Sequence, residues 1–312
     1  MSRNKTNIKM QLNSRLDALL RIGMKKTNEN RDTRNGINPT RYVGIHSVKT
    51  ADTYRRSINI FGDFCKRIGI KEIEQIDESV VRRFVEERCS NSSWTHSKDL
   101  AAINKVLGTI YTPSQFGIEQ RKSENIVHNR QILTSNSTAS AARNQEALWF
   151  AYATGARRES FQSVTPSNAI RADDGTVIGF QFKEKGGRER NALILPSERQ
   201  AMTFFVDRKL SEVGEDGQLV KPCDSNANPH FERAHYATDM YEQMAEHKAR
   251  HEDIYDGYRS IFLDEQKYQK AIEHPRYKSQ YVHGYDTRIC AELSQQLGHN
   301  RIEVVINSYL RK

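Results

Sequence analysis

The feature that most constrains the fold is a change of period partway along the chain. From Thr50 to Tyr111 apolar residues recur at three- and four-residue steps, as amphipathic helices require. Tyr54, Ile58, Phe61, Phe64, Cys65 and Ile68 make one such face, and Gly69 stops it. Asp77 opens a second helix with Val80, Val81, Phe84 and Val85 on one side. A third runs from Trp94 to Tyr111 through Leu100, Ile103, Val106, Leu107 and Ile110. Between Asn168 and Leu195 the pattern shortens to β-rich runs at 168–171, 176–182 and 191–195, separated by Asp173-Asp174-Gly175 and Gly186-Gly187. A helix from about Ala141 to Ala153 precedes these strands, another opens at Pro196-Ser197, and the remainder reads as helical. The expected class is mainly α with a small β-sheet (α+β).

The same patterns divide the chain. Residues 1–48 read as a basic N-terminal arm, with turn or disorder at 30–36 and one short amphipathic piece from Met10 to Ile22. Residues 49–118 form a helical domain. Residues 119–140 lose periodicity, end in Thr-Ser-Asn-Ser-Thr-Ala-Ser and read as a linker. Residues 141–312 make the second domain.

Charge narrows the partner. Residues 1–140 hold 24 Lys and Arg against 14 Asp and Glu, whereas residues 141–312 hold 24 against 25. A basic excess confined to one half points to a polyanion, because each neutralised phosphate releases counterions. No apolar run approaches the roughly 18 residues of a membrane span, and no apolar signal segment follows Met1. A cytoplasmic, nucleoid-associated location without membrane contact is expected. Cys65, Cys89, Cys223 and Cys290 are scattered without a CxxC pair and read as reduced thiols. His247 and His251 stand four apart, but Lys248 occupies the place of a zinc protease's Glu, so no metal is expected there.

The chemistry-bearing residues come in order: Thr154-Gly155-Ala156-Arg157, then Glu184-Lys185-Gly186-Gly187-Arg188-Glu189-Arg190, His230-Phe231-Glu232-Arg233, Leu297-Gly298-His299 and Tyr309. Arginine forks match phosphate oxygens bidentately, histidines move protons, and a tyrosine can attack phosphorus. Such a set suits phosphodiester transfer through a protein nucleophile. Each residue also has a plain alternative: Arg157 a helix-end residue beside Arg158, Lys185 a turn lysine near Lys183, His230 a helix-start residue with His235 competing, Tyr309 a packing aromatic.

This order of boxes resembles the tyrosine recombinases of the phage-integrase type, over roughly residues 45–312. The resemblance implies a two-domain DNA clamp, a helical core-binding domain followed by a catalytic domain. Arg157 and Arg233 would hold the scissile phosphate, and Lys185 would protonate the leaving 5′ oxygen. His230 would act as base near the tyrosine, His299 would hydrogen-bond the phosphate, and Tyr309 would form a 3′-phosphotyrosyl bond. No cofactor or metal is implied. The partners would be double-stranded DNA, further copies of the chain (a tetramer on DNA) and accessory DNA-bending or directionality factors. The implied activity is site-specific recombination, integrating or excising a mobile element. The alternatives are a type IB topoisomerase-like relaxing enzyme and a non-catalytic DNA-binding regulator derived from an integrase.

Four departures from the family pattern stand out. Ser160 lies where an acidic residue is usual, with Glu159 one place earlier, and Ala234 follows Arg233 where many relatives have a second histidine. An insertion rich in tyrosine and charge is expected near 241–284, and the short tail after Tyr309 suggests that this segment or the N-terminal arm replaces the usual assembly contact. Ten residues separate His299 from Tyr309. On an unbroken helix they would lie about 15 Å apart along the axis. Either the chain bends between them, or Tyr309 enters a neighbouring subunit.

Overall fold

The computed structural model describes residues 7–24, 44–119, 141–184, 188–299 and 301–310. The expected turn or disorder at 30–36, the linker beyond Glu119 and Lys185 lie outside the described residues. The chain forms two compact units, 1–122 and 123–312.

The first unit is helical. Among the described residues four helices, α1 (Ile8–Ala18), α2 (Val48–Arg67), α3 (Glu78–Glu87) and α4 (Ser93–Leu107), close on one apolar core. Asn7, Asp77 and Ser92 each accept a hydrogen bond from a first-turn amide, fixing the starts of α1, α3 and α4. Gly108 takes φ +71° and ends α4, earlier than the pattern through Ile110 suggests. At the centre, Phe84 meets Phe61 and Phe64 edge-on, with ring centroids 5.0 and 5.3 Å apart. Ile8, Leu12 and Leu16 of α1 are buried in this core. Residues 8–18 are therefore part of the helical unit rather than of a separate basic arm: three apolar side chains on one face need a surface to bury against.

The second unit is α+β. An antiparallel sheet in the order β1 (Ala169–Arg171), β2 (Val177–Glu184), β3 (Arg188–Leu193) lies between two apolar layers. Val177, Phe180, Phe182 and Ala192 pack with α5 (Ala141–Thr154) and α6 (Arg199–Val213). Ile178 and Leu193 face the opposite layer, built by α7 (Pro229–Ala249), α10 (Thr287–Gln296) and the C-terminal turns. Ala192 and Leu193 alternate as the pleat requires, whereas Ile178 is set opposite Phe180 and Phe182 by the register shift between β1 and β2, which skips it.

The structure differs from the sequence reading over 241–284. Residues 241–249 are the last turns of α7, so the extra segment begins after Ala249. It carries α8 (Arg259–Phe262) and α9 (Glu265–Ile272), then a short hairpin of β4 (Tyr281–Val282) and β5 (Tyr285–Asp286) where the sequence suggests extra helices or a loop. Its turn, His283-Gly284, has φ +51° and +83°, the left-handed pair that tight hairpins favour. His247 stays on α7, whereas His251 lies past the helix end at φ +58°, so the two do not share a helical face.

Candidate active site

The site is built on two helix ends and one helix start. α5 stops at Gly155, whose φ of +62° turns the chain so that its carbonyl points toward α7. Pro229 opens α7 and places His230 and Arg233 one turn apart on the same side. α10 starts on Asp286, whose carboxylate accepts from the Arg288 and Ile289 amides. It ends in a Schellman turn: Gly298 takes φ +63° and donates to Gln295, and His299 donates to Ser294.

After that turn the chain reverses into α11 (Ile302–Val305) and a wider π turn, Ile306–Leu310. Ile302, Val305, Ile306, Tyr309 and Leu310 are buried at helical spacing, and the Tyr285 hydroxyl donates to the Leu310 carbonyl at 2.5 Å. The bend replaces the unbroken helix. It brings Tyr309 back against its own His299, with Nε2 to phenol oxygen 3.3 Å. Arg233 Nε donates to the same phenol at 3.3 Å.

Arg233 is fully buried, and its two terminal nitrogens donate to the carbonyls of Gly155 and Leu297. Arg157 reaches the same Leu297 carbonyl at 3.0 Å. The free carbonyls at the end of α10 carry the negative pole of the helix and anchor both arginines. Burial, with Arg233 and Arg190 nearby, pushes the Arg157 guanidinium down to about 9. A guanidinium still keeps its proton at neutral pH; the depression reflects first the burial of the charge and then its cationic neighbours, and a bound anion would offset both.

The structure thus brings together Arg157, Arg233, His299 and Tyr309. His230 is half-buried in the first turn of α7, three residues before Arg233. Lys185 falls between the ends of β2 and β3, outside the described residues. Arg158 turns away to the carbonyls of Cys223, Asp224 and Ala227, and His235 sits beside Glu232 and Phe231. Ser160 is buried, and Glu159 contributes only a distant attraction to Arg157, whose anchor is a carbonyl instead.

One residue escaped the sequence reading. Arg190 on β3 is 6% exposed, stacks over Phe182 with 4.8 Å from guanidinium to ring centroid, and donates to the Gln296 carbonyl. Burial and Arg233 push it down to about 9. The available signal was register: Arg190 lies opposite Phe182 on the inward-facing side of the β2–β3 pair, an unusual place for an arginine.

Comparison with known proteins adds one domain assignment. Residues 44–109 match the phage integrase N-terminal SAM-like domain. No curated protein matches the chain. Among solved structures, it is similar to the XerH site-specific recombinase bound to difH substrate in a pre-cleavage complex. That match has 15% identity, 76% of this chain and 85% of that one covered, and a TM-score of 0.42. A post-cleavage complex of XerH with palindromic difH gives 13% identity, coverage of 84% and 93%, and a TM-score of 0.42. Among the described residues no helix is long and apolar enough to cross a membrane, and no three His, Cys, Asp or Glu residues cluster as metal ligands.

Proposed function

We propose that this chain is a site-specific DNA recombinase of the tyrosine type, cutting and rejoining duplex DNA through Tyr309. The observation that carries the reading is the phenol of Tyr309, 3.3 Å from both Arg233 Nε and His299 Nε2, with Arg157 on the same carbonyl as Arg233. The SAM-like domain match over residues 44–109 supports DNA as the substrate.

In this mechanism the Tyr309 oxygen attacks the scissile phosphorus, and the bond from phosphorus to the 5′ oxygen breaks. The phenolic proton passes to a neutral imidazole. His299 is within reach in the free protein, and His230 is the second candidate on the α7 face. Arg157 and Arg233 hold the non-bridging oxygens, where charge builds up in the transition state. Lys185 protonates the leaving 5′ oxygen. Rejoining reverses the step: a 5′ hydroxyl attacks the phosphotyrosyl bond and Tyr309 recovers its proton. Because Tyr309 and Arg233 are fully buried in the free chain, the Ile306–Leu310 turn must shift when DNA binds.

A pool of nicked duplexes with randomised sequence tests this reading. Wild type should yield a protein–DNA adduct that survives denaturation, and Tyr309→Phe none. Sequencing the captured DNA would give the site. An adduct of equal yield in Tyr309→Phe would assign the nucleophile elsewhere. Arg157→Ala and Arg233→Ala should bind DNA but form adduct at least about 100-fold more slowly, the usual scale for a lost transition-state donor.

A further inference from the structure

The extra segment after Ala249 has no part in the chemistry above, yet it walls a groove beside it. A cavity of about 290 Å³ lies between β3 and residues 260–264 and is lined by Arg190, Asn191, Lys267 and Gly298. A larger one, about 610 Å³, lies between α9 and the bend after α10, with Lys267, Lys270, Arg276 and Arg301 along it. Lys267, Gln295 and His299 line both, so the two spaces adjoin at the His299 imidazole and are taken together as one groove.

This groove is cationic although its half of the sequence is not. The larger cavity has four Lys or Arg side chains against one carboxylate, Glu303, and the smaller is balanced, Arg190 and Lys267 against Glu189 and Asp264, whereas residues 141–312 carry a net charge of −1. Lys267 pairs with Asp264 at 2.6 Å and Arg276 with Glu303 at 2.7 Å. Exposed pairs of this kind are worth about 0–1 kcal/mol, so both cations can turn to a phosphate at little cost. Lys270 and Arg301 are exposed. The small side chains of Ala271 and Ala291 leave room between the charges.

The wall is also held rigidly. The Phe262 ring packs against Gly179 of β2, where an added methyl would come within 2.3 Å of it. Tyr255 and Arg259 hydrogen-bond Glu292 of α10 at 2.9 and 2.8 Å, and Gln295 bonds the backbone of Asp264 in both directions. α9 is thereby fixed to the helix whose end carries His299. A preorganised cationic wall binds without the ordering cost of a loose arm.

We propose that this groove holds the DNA-backbone phosphates adjoining the scissile one, making the segment after Ala249 a strand clamp; the assignment rests on the recombinase reading. Lys267 and Lys270 each neutralise one phosphate, and Arg276 and Arg301 face them across the groove.

The test is the salt dependence of binding to a mixed-sequence 40-base-pair duplex, followed by fluorescence anisotropy. Each phosphate contact contributes about 0.9 to the slope of log affinity against log salt, so Lys267→Ala/Lys270→Ala should be shallower by about 1.8. The Lys267→Arg/Lys270→Arg protein should keep the wild-type slope, and thermal melts should show both variants folded. An unchanged slope in the alanine variant overturns the proposal. So does a charge-reversed Lys267→Glu/Lys270→Glu protein that changes oligomeric state but not slope, since the groove would then receive protein. The Tyr309 adduct reports separately on the recombinase reading. If adduct forms and the slope is unchanged, only the groove assignment falls. If the slope drops and no adduct forms, the groove is a DNA contact and the recombinase reading falls.

Discussion

Gly155→Ala is the substitution whose cost the structure defines most sharply. Two effects add. Gly155 sits at φ +62°, where an L side chain costs about 1–2 kcal/mol. Its added Cβ would also lie 2.6 and 2.7 Å from two ring carbons of Tyr236. That ring cannot swing away, because Tyr236 is fully buried and its hydroxyl donates to the Leu193 carbonyl at 2.8 Å. Forcing a methyl into a packed site costs about 1–3 kcal/mol. The sum, about 2–5 kcal/mol, corresponds to roughly 4–20 °C in Tm for a unit of this size. Gly175→Ala is the matched control. Its φ is +87°, but nothing lies within 4 Å of the new Cβ, so it should lose only the conformational part, about 1–2 kcal/mol. The assay is urea or thermal unfolding of both variants, with adduct formation on nicked DNA alongside. Because the Gly155 carbonyl anchors Arg233, Gly155→Ala should also slow adduct formation at temperatures where the protein remains folded. Equal stability losses in the two variants would refute the packing argument. Full activity in folded Gly155→Ala would refute the anchoring role.

Other outcomes follow from single contacts. Gln296 is fully buried, accepts from the Leu193 amide at 2.7 Å and donates to the Phe262 carbonyl at 3.3 Å; Gln296→Leu should lose about 2–5 kcal/mol in urea unfolding, because two buried backbone groups lose their partner. Asp286→Ala removes the cap of α10, for about 1 kcal/mol, together with the 2.7 Å bond from Lys248. Burial opposes the Asp286 charge, but the bonds from Lys248 and from the Arg288 and Ile289 amides outweigh it, and the pKa falls below its ordinary 3.8. Its contribution to stability is therefore complete above about pH 4 and lost as pH falls through the lowered value, so a pH series of unfolding midpoints should converge for wild type and Asp286→Ala in acid. Burial pushes the Cys65 and Cys290 thiols up to about 12, and Cys89 is exposed. A thiol reagent at pH 8 should modify Cys89 fast and those two only on unfolding.

The helices and the sheet were legible because their periods are set by burial against one surface. The faces read in α2, α3 and α4 are largely the side chains that pack in the first core. Reading failed where a backbone device, not a period, decides the outcome. The β4–β5 hairpin is too short for any alternation to register and rests on the left-handed pair His283-Gly284. The start of the extra segment was misplaced because α7 continues to Ala249 through residues whose tyrosines and charges resemble a surface loop. Leu12 and Leu16 were legible as a helix from Met10 to Ile22, but the helix runs Ile8–Ala18, and nothing local tells which core receives it.

At the site, residue types were readable and distances were not. On an unbroken helix His299 and Tyr309 would lie too far apart, and the spacing leaves two ways out, a bend in the chain or a neighbouring subunit. The bend settles it, and two backbone devices make it. The left-handed turn at Gly298 closes α10 and frees the Gln296 and Leu297 carbonyls, and the π turn at Ile306–Leu310 swings Tyr309 back onto His299. The same two carbonyls then gather guanidinium groups from three distant segments: Arg157 and Arg233 on Leu297, and Arg190 on Gln296. Three like charges cannot sit together on packing alone. The negative end of α10 holds them in the free chain, and a phosphate entering beside Tyr309 would add negative charge next to the pushed-down Arg157 and Arg190. Substituting Arg190 by Leu should therefore leave the α10 end short of one bond and weaken phosphate capture even though Arg157 and Arg233 remain. Its adduct rate should fall less than that of Arg233→Ala, since Arg190 reaches the site through the Gln296 carbonyl and not through the Tyr309 phenol. A folded Arg190→Leu protein with wild-type adduct kinetics would show that the third guanidinium serves the fold alone.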